Sequence, residues 1–219
     1  MHENEYRLVF EKTGRLKFIS HLDLLRTMQR VFTRAGLPIA YSSGFNPHPL
    51  MVFPLPLSIG MESICEICDL RLTVPIDCDK AKEAISAELP ECMAARGFYP
   101  AERPLSEIAY AEYRMAIDYG DFSEKASGIL QTLFSAPAVV LKKTKSGEKE
   151  TDISPQIRRV RSELSEGKVK ASLICESSAA GYLNPTYAIM ALSDAVGSEP
   201  EEVRMVRTRI FDAQGKSFH

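Results

Sequence analysis

No stretch of this sequence approaches the roughly 18 uninterrupted apolar residues that a membrane-spanning helix needs. Its start, MHENEYRLVF, also lacks the charged-then-apolar layout of a secretory signal. Framework cysteines are missing too: Cys65, Cys68, Cys78, Cys92 and Cys175 are odd in number and irregularly spaced, which suits reduced thiols better than a disulfide scaffold. There is no GxxxxGK[ST], no GxGxxG and no CxxxCxxC, so no nucleotide, iron–sulfur or other cofactor is expected. A strongly basic balance is absent as well, the net charge being -2, which argues against a uniformly basic nucleic-acid binder. What these absences leave is a cytoplasmic globular protein with no expected membrane contact, whose 45% hydrophobic residues can fill a core.

The charge is unevenly spread. Residues 1–61 carry seven Lys/Arg against four Asp/Glu, residues 62–110 carry five against ten, and the remainder is balanced. Along the chain, EYRLVFEKTG alternates as a half-buried strand with LKFIS continuing it, and Ser20 and Asp23 form an N-cap pair ahead of a helix ended by Gly36 and Pro38. PIAYSS is short and β-prone, ICEICDLRLTV predicts a strand, Asp79–Leu89 a helix and MAARGFYPAE a closing strand. The second half repeats the order: YRMAIDYG as strand, Phe122–Phe134 as helix, AVVLKKT as strand and GEKE as a turn or loop. KVKASLICES, NPTYAIMALSDAVG and VRMVRTRIF then follow as strand, helix and strand. TDISPQIRRVRSEL stays open between strand, loop and short helix. The expected class is α+β, two tandem ferredoxin-like (βαββαβ) domains over residues 1–107 and 108–219.

Taken at about 100° per residue, Leu25, Met28, Phe32 and Ala35 share one side of the first helix. Asp23, Arg26, Arg30 and Arg34 form a separate stripe, and an arginine every fourth residue suits phosphates or a carboxylate-bearing partner as well as a plain solvated face. His21 opens the helix, where the dipole disfavours an imidazolium, so it serves either as a packed residue or as a proton donor or acceptor. In SSGFNPHP, Gly44 permits positive φ while Pro47 and Pro49 stiffen the backbone around His48. Such a loop displays Ser42, Phe45, Asn46 and His48 for stacking on a base or gripping a phosphate, or else it simply caps a sheet. Cys65 and Cys68 stand three apart, but in a strand they face opposite ways and no second pair completes a metal site. The KKTKSGEK and RRVR runs offer further phosphate contacts or a solvated hairpin.

The run from KTGRLKFISHLD through RAGLPIAYSSGFNPHP to PLSIGMES resembles the radical SAM-linked protein family, a bacterial family of unknown function, with the resemblance densest over residues 5 to about 75. The family pattern falls on Ser20, His21, Asp23, Arg26, Arg34, Ser42, Gly44, Phe45, Asn46, Pro47, His48 and Gly60. Ser63, Cys65, Glu66 and Cys68 depart from it. The resemblance implies partnership with a radical SAM enzyme and supplies no reaction. In fold alone the expected tandem architecture is also similar to CRISPR repeat-processing endonucleases, although SSAAGYLNP lacks their glycine-rich loop. Three functions are therefore expected to compete. The first is a non-catalytic accessory protein that binds RNA (tRNA or rRNA) and presents it to a radical SAM partner. The second is a module that docks such an enzyme without RNA. The third is a metal-independent ribonuclease using His21 and His48 as acid and base.

Overall fold

The computed structural model describes residues 4–144, 147–178 and 181–219. The chain divides into two compact units, the first running to Glu107 and the second spanning Ile108–Phe218. Among the described residues no helix is long and apolar enough to cross a membrane.

The first unit contains β1 (Glu5–Lys12), α1 (His21–Arg34), β2 (Met51–Val52), β3 (Glu62–Arg71), α2 (Cys78–Glu88) and β4 (Met93–Pro100). Its strand order is β4-β1-β3-β2, with every pair antiparallel. Alternation in β1 puts Tyr6, Leu8 and Phe10 on one face, where they join Leu24, Met28, Val31 and Phe32 of α1 and Ile85 of α2 in one cluster. Burying each such side chain contributes about 1.5–3 kcal/mol.

LKFIS does not prolong β1. Gly14 turns the backbone to φ +55°, and residues Gly14–Phe18 coil into a 3₁₀ helix. The approach there is close, since a Cβ on Gly14 would lie 2.8 Å from Cys92 Sγ. The buried side of α1 is also rotated from its expected position: Leu24 and Val31 are buried, while Leu25 and Ala35 are only half-buried. PIAYSS forms no strand of its own and contributes only isolated bridges at Ile39 and Tyr41.

The second unit contains β5 (Ile108–Asp118), α3 (Ser123–Thr132), β6 (Val139–Thr144), β7 (Gly147–Asp152), β8 (Ile157–Ser165), β9 (Lys168–Glu176), α4 (Thr186–Val196) and β10 (Glu202–Asp212). Strands β10-β5-β9-β8 follow one another, all antiparallel, and β6 and β7 form a separate hairpin. GEKE is thus strand rather than turn. Of the open segment, TD ends β7, Ile153 caps the one 3₁₀ turn made by SPQ, and IRRVRSEL lies in β8. Tyr113, Met115 and Ile117 of β5 are buried on the same side as Val169, Ala171, Leu173 and Cys175 of β9.

Candidate functional site

At the start of α1, Ser20 Oγ accepts from the Asp23 backbone N–H at 3.1 Å and donates to Asp23 Oδ2 at 2.7 Å. This reciprocal cap holds the first turn and, with it, His21. Removing it by Ser20→Ala is expected to cost about 1 kcal/mol, measured as a lower midpoint in urea unfolding at unchanged slope. His21 is exposed and sets its ring edge-on to Phe53, 6.0 Å between centroids. Phe53 in turn meets Phe10 edge-on, at 6.2 Å. Gly60 closes the Pro-rich segment that follows by donating its N–H to Lys17 O at 2.8 Å.

Further along α1 the arginine stripe is on the surface. Arg26, Arg30 and Arg34, with Gln29 and Thr33, line a depression of about 410 Å³. Asp23 stands at its N-terminal end, 3.6 Å from Arg26 Nη1, with both side chains well exposed. Three arginines thus border one depression with one carboxylate nearby, residue types matched to phosphate or carboxylate oxygens.

The loop after α1 is closed by a short ladder of hydrogen bonds. Leu50 N–H donates to Ala40 O and Ser42 N–H to His48 O, each at 2.9 Å, with a bridge between Tyr41 and Pro49 in the middle. Ser42 Oγ accepts from the His48 backbone N–H at 3.1 Å and lies 2.8 Å from His48 Nδ1. Beyond this clasp Ser43, Gly44, Phe45, Asn46 and Pro47 are all exposed, and Phe45 is fully so. The clasp fixes the base of the tip and orients the His48 ring, leaving Nε2 as the nitrogen not engaged by Ser42.

His48 and the arginine stripe line different cavities. His48 borders a smaller one, about 220 Å³, with Leu50, Met51, Glu5, Asp69 and Arg71. Among the described residues neither His21 nor His48 hydrogen-bonds the other. The sequence reading missed this second cavity and the ion pair at its wall. Arg7 donates through Nε and Nη2 to both Asp69 carboxylate oxygens at 2.7 and 2.8 Å, with the two side chains only 1% and 6% exposed. Arg7 Nη2 also donates to Arg103 O at 2.7 Å. Its only sequence signal is a charge on the supposed wet face of β1.

The cysteine pair behaves as strand geometry requires. Cys68 lies in the core, where burial pushes its thiol pKa well up, whereas Cys65 is half-buried beside Ser63. Among the described residues no group of three His, Cys, Asp or Glu side chains is placed to hold a metal.

A family model described as "Uncharacterized protein conserved in bacteria (DUF2344)" matches residues 5–185. Comparison with curated proteins gives no match. Among solved structures, a chain of "Crystal Structure of a Cbf5-Nop10-Gar1 Complex" aligns at TM-score 0.50 and 11% identity over 94% of this chain and 48% of that one. The present chain thus spans about half of that chain's length, and the likeness is one of fold. An unknown protein from Galdieria sulphuraria aligns at TM-score 0.28 and 8% identity, over 92% of this chain and 95% of that one. A DyPB from Rhodococcus jostii RHA1 aligns at 0.22 and 9%, over 93% and 92%. Both are too distant to carry an argument.

Proposed function

Since the chain belongs to the family of uncharacterized proteins conserved in bacteria, DUF2344, we propose a function from its own surface: a non-catalytic accessory protein that binds RNA and presents it to a radical SAM enzyme. In this reading Arg26, Arg30 and Arg34 hold phosphates while Phe45, Asn46 and His48 touch a base or ribose. The observation that carries it is the loop tip, where a fully exposed Phe45 stands on a hydrogen-bonded clasp. An aromatic ring already held out in water offers a face on which a base can stack, and a pre-ordered loop loses little entropy when that happens. His21 is packed on Phe53 and His48 is held by Ser42, so each ring already has a positioning partner of its own, which supports binding over a paired acid–base role.

We also read each unit as ferredoxin-like. Numbering the four sheet strands of either unit in chain order gives 4-1-3-2, all antiparallel, once the β6–β7 hairpin is treated as an insertion. The radical SAM partner rests on the motif resemblance alone.

Phe45→Ala provides the direct test. Affinity for tRNA or rRNA fragments is expected to fall about tenfold, since base–aromatic stacking is worth roughly 1–3 kcal/mol, while the melting temperature stays where it was. Wild-type protein that shows no affinity for such fragments at low salt would falsify the reading. The same exposed ring also favours the protein-docking alternative. Co-purification with the radical SAM enzyme that survives nuclease treatment but is lost on Arg30→Glu would assign the surface to that enzyme instead.

A further inference from the structure

The RRVR run that begins at Arg158 takes no part in the surface just described. It opens β8, and the pairings across the second unit's sheet place Arg159, Ile174, Glu112 and Arg209 in one transverse row. At this row the register shifts on both flanking strands. From Ile157 to Arg159 the chain advances two residues against one step of β9, and from Arg207 to Arg209 it advances two against one step of β5. Bulges re-aim side chains, and here each delivers a polar group to the same place: Arg158 beside Arg159, and Thr208 beside Arg209.

The result is a cavity of about 320 Å³ walled by Arg158, Arg159, Arg209, Tyr110, Phe211 and Glu112. The Arg158 guanidinium carbon sits 4.6 Å from the Tyr110 ring centroid, so the cation is stacked and held in orientation. The turn after β10 flanks it. Asp212 Oδ1 accepts from Gln214 N–H and Lys216 N–H at 3.1 and 2.8 Å, and a Cβ on Gly215, at φ +81°, would lie 3.7 Å from Arg158 Nη2. Glu112 is turned into the sheet's own polar network. Its carboxylate accepts from Ser172 Oγ at 3.0 Å and Thr208 Oγ1 at 2.9 Å, and lies 3.7 Å from Arg209 Nε. Among the described residues neither Arg158 nor Arg159 forms an ion pair with a carboxylate. Three guanidinium groups against one engaged carboxylate leave the wall with an excess of positive charge.

The cationic surface continues as a track. In the next row of the same face Arg114 and Arg161 each pair with Ser172, and both are exposed. Two residues along a strand advance about 7 Å, so arginines recur at a spacing that an extended chain of phosphates can follow.

We propose that this face of the second unit binds a single-stranded RNA segment, with one phosphodiester in the Arg158–Arg159–Arg209 cavity, a base against Phe211 and the following phosphate towards Arg114 and Arg161. Guanidinium forks match phosphate oxygens bidentately, and an open sheet carrying aromatic and arginine side chains suits unpaired bases. The inference takes the polymer from the RNA reading above but shares no residue with it.

The experiment titrates the full-length ¹⁵N-labelled protein with an oligouridylate 12-mer, with uridine monophosphate and with inorganic phosphate at 50 mM salt, following the amides of Tyr110, Ile174 and Gly215. The 12-mer is expected to shift these amides. The double variant Arg158→Glu, Arg159→Glu is expected to bind it at least about tenfold more weakly, with a salt slope shallower by about 1–1.5. Arg159→Gln, which retains a polar side chain, should show a smaller loss in the same direction. Shifts confined to α1 and the loop of residues 42–48 would overturn this inference while leaving the first reading standing. Shifts confined to this face would do the reverse. Response to the monophosphate or phosphate without the 12-mer would overturn the strand assignment, as would no response at all.

Discussion

Asp69→Ala is expected to destabilise the protein by about 3–5 kcal/mol, the usual cost of removing one partner from a buried ion pair. The Arg7 guanidinium would remain 1% exposed without the carboxylate that accepts two of its hydrogen bonds. Its bond to the neutral Arg103 O does not replace the lost negative charge. Because Arg7 and Asp69 are directly opposed on β1 and β3, the damage should reach the centre of the first unit's sheet. Urea unfolding followed by circular dichroism measures it. The double variant Arg7→Met, Asp69→Leu supplies the control, since an apolar pair of similar size removes both charges together and is expected to recover most of the loss. If Asp69→Ala unfolds at the wild-type midpoint, the pair is not the fixture described above.

Reversing the arginine depression should abolish most RNA binding. With Arg26, Arg30 and Arg34 all changed to Glu, affinity for a single-stranded fragment at 50 mM salt is expected to fall about a hundredfold or more. The slope of log affinity against log salt should flatten by about 2, at roughly 0.7 per lost phosphate contact. Stability should change little. The Arg26–Asp23 pair is well exposed and worth at most about 1 kcal/mol, and the loss at Arg34 is limited to its favourable position in the last turn of α1. Filter binding across a salt series measures both quantities. An unchanged slope would remove these arginines from any phosphate contact.

How much of this was legible depended on whether the signal was local. The α1 helix could be read because its cap, Ser20 with Asp23, and its stop at Gly36 lie within a few residues of the turns they control. The arginine stripe follows from helical periodicity, and its side chains do share one depression. The 3₁₀ turn at Gly14–Phe18 was not legible, since the alternation of β1 appears to the eye to run on through it and only the backbone angle at Gly14 ends it. GEKE looked like a turn because β7 is polar on both faces, leaving no period of two to detect. The Arg7–Asp69 pair and the cavity beside it depend on which residue of β1 meets which residue of β3, 62 positions apart, and no spacing in the chain announces that. The bulges at Arg158 and Thr208 are hidden for the same reason: a bulge is a mismatch between two strands and has no pattern in either one.

The β6–β7 hairpin has a bearing on how the protein behaves in crowded solution. A two-stranded ribbon has two outer edges, an invitation to pair with another chain; Lys143 N–H is already given to Tyr187 Oη at 3.2 Å, while exposed Val139 and Leu141 would add apolar contact to such an encounter. The charges of Lys143, Glu148, Lys149 and Glu150 stand along the same ribbon, all exposed. Two copies approaching edge to edge would have to desolvate these charges. The polar composition that disguised β7 as a turn therefore acts as a guard against self-association, keeping the ribbon from becoming a template for fibres.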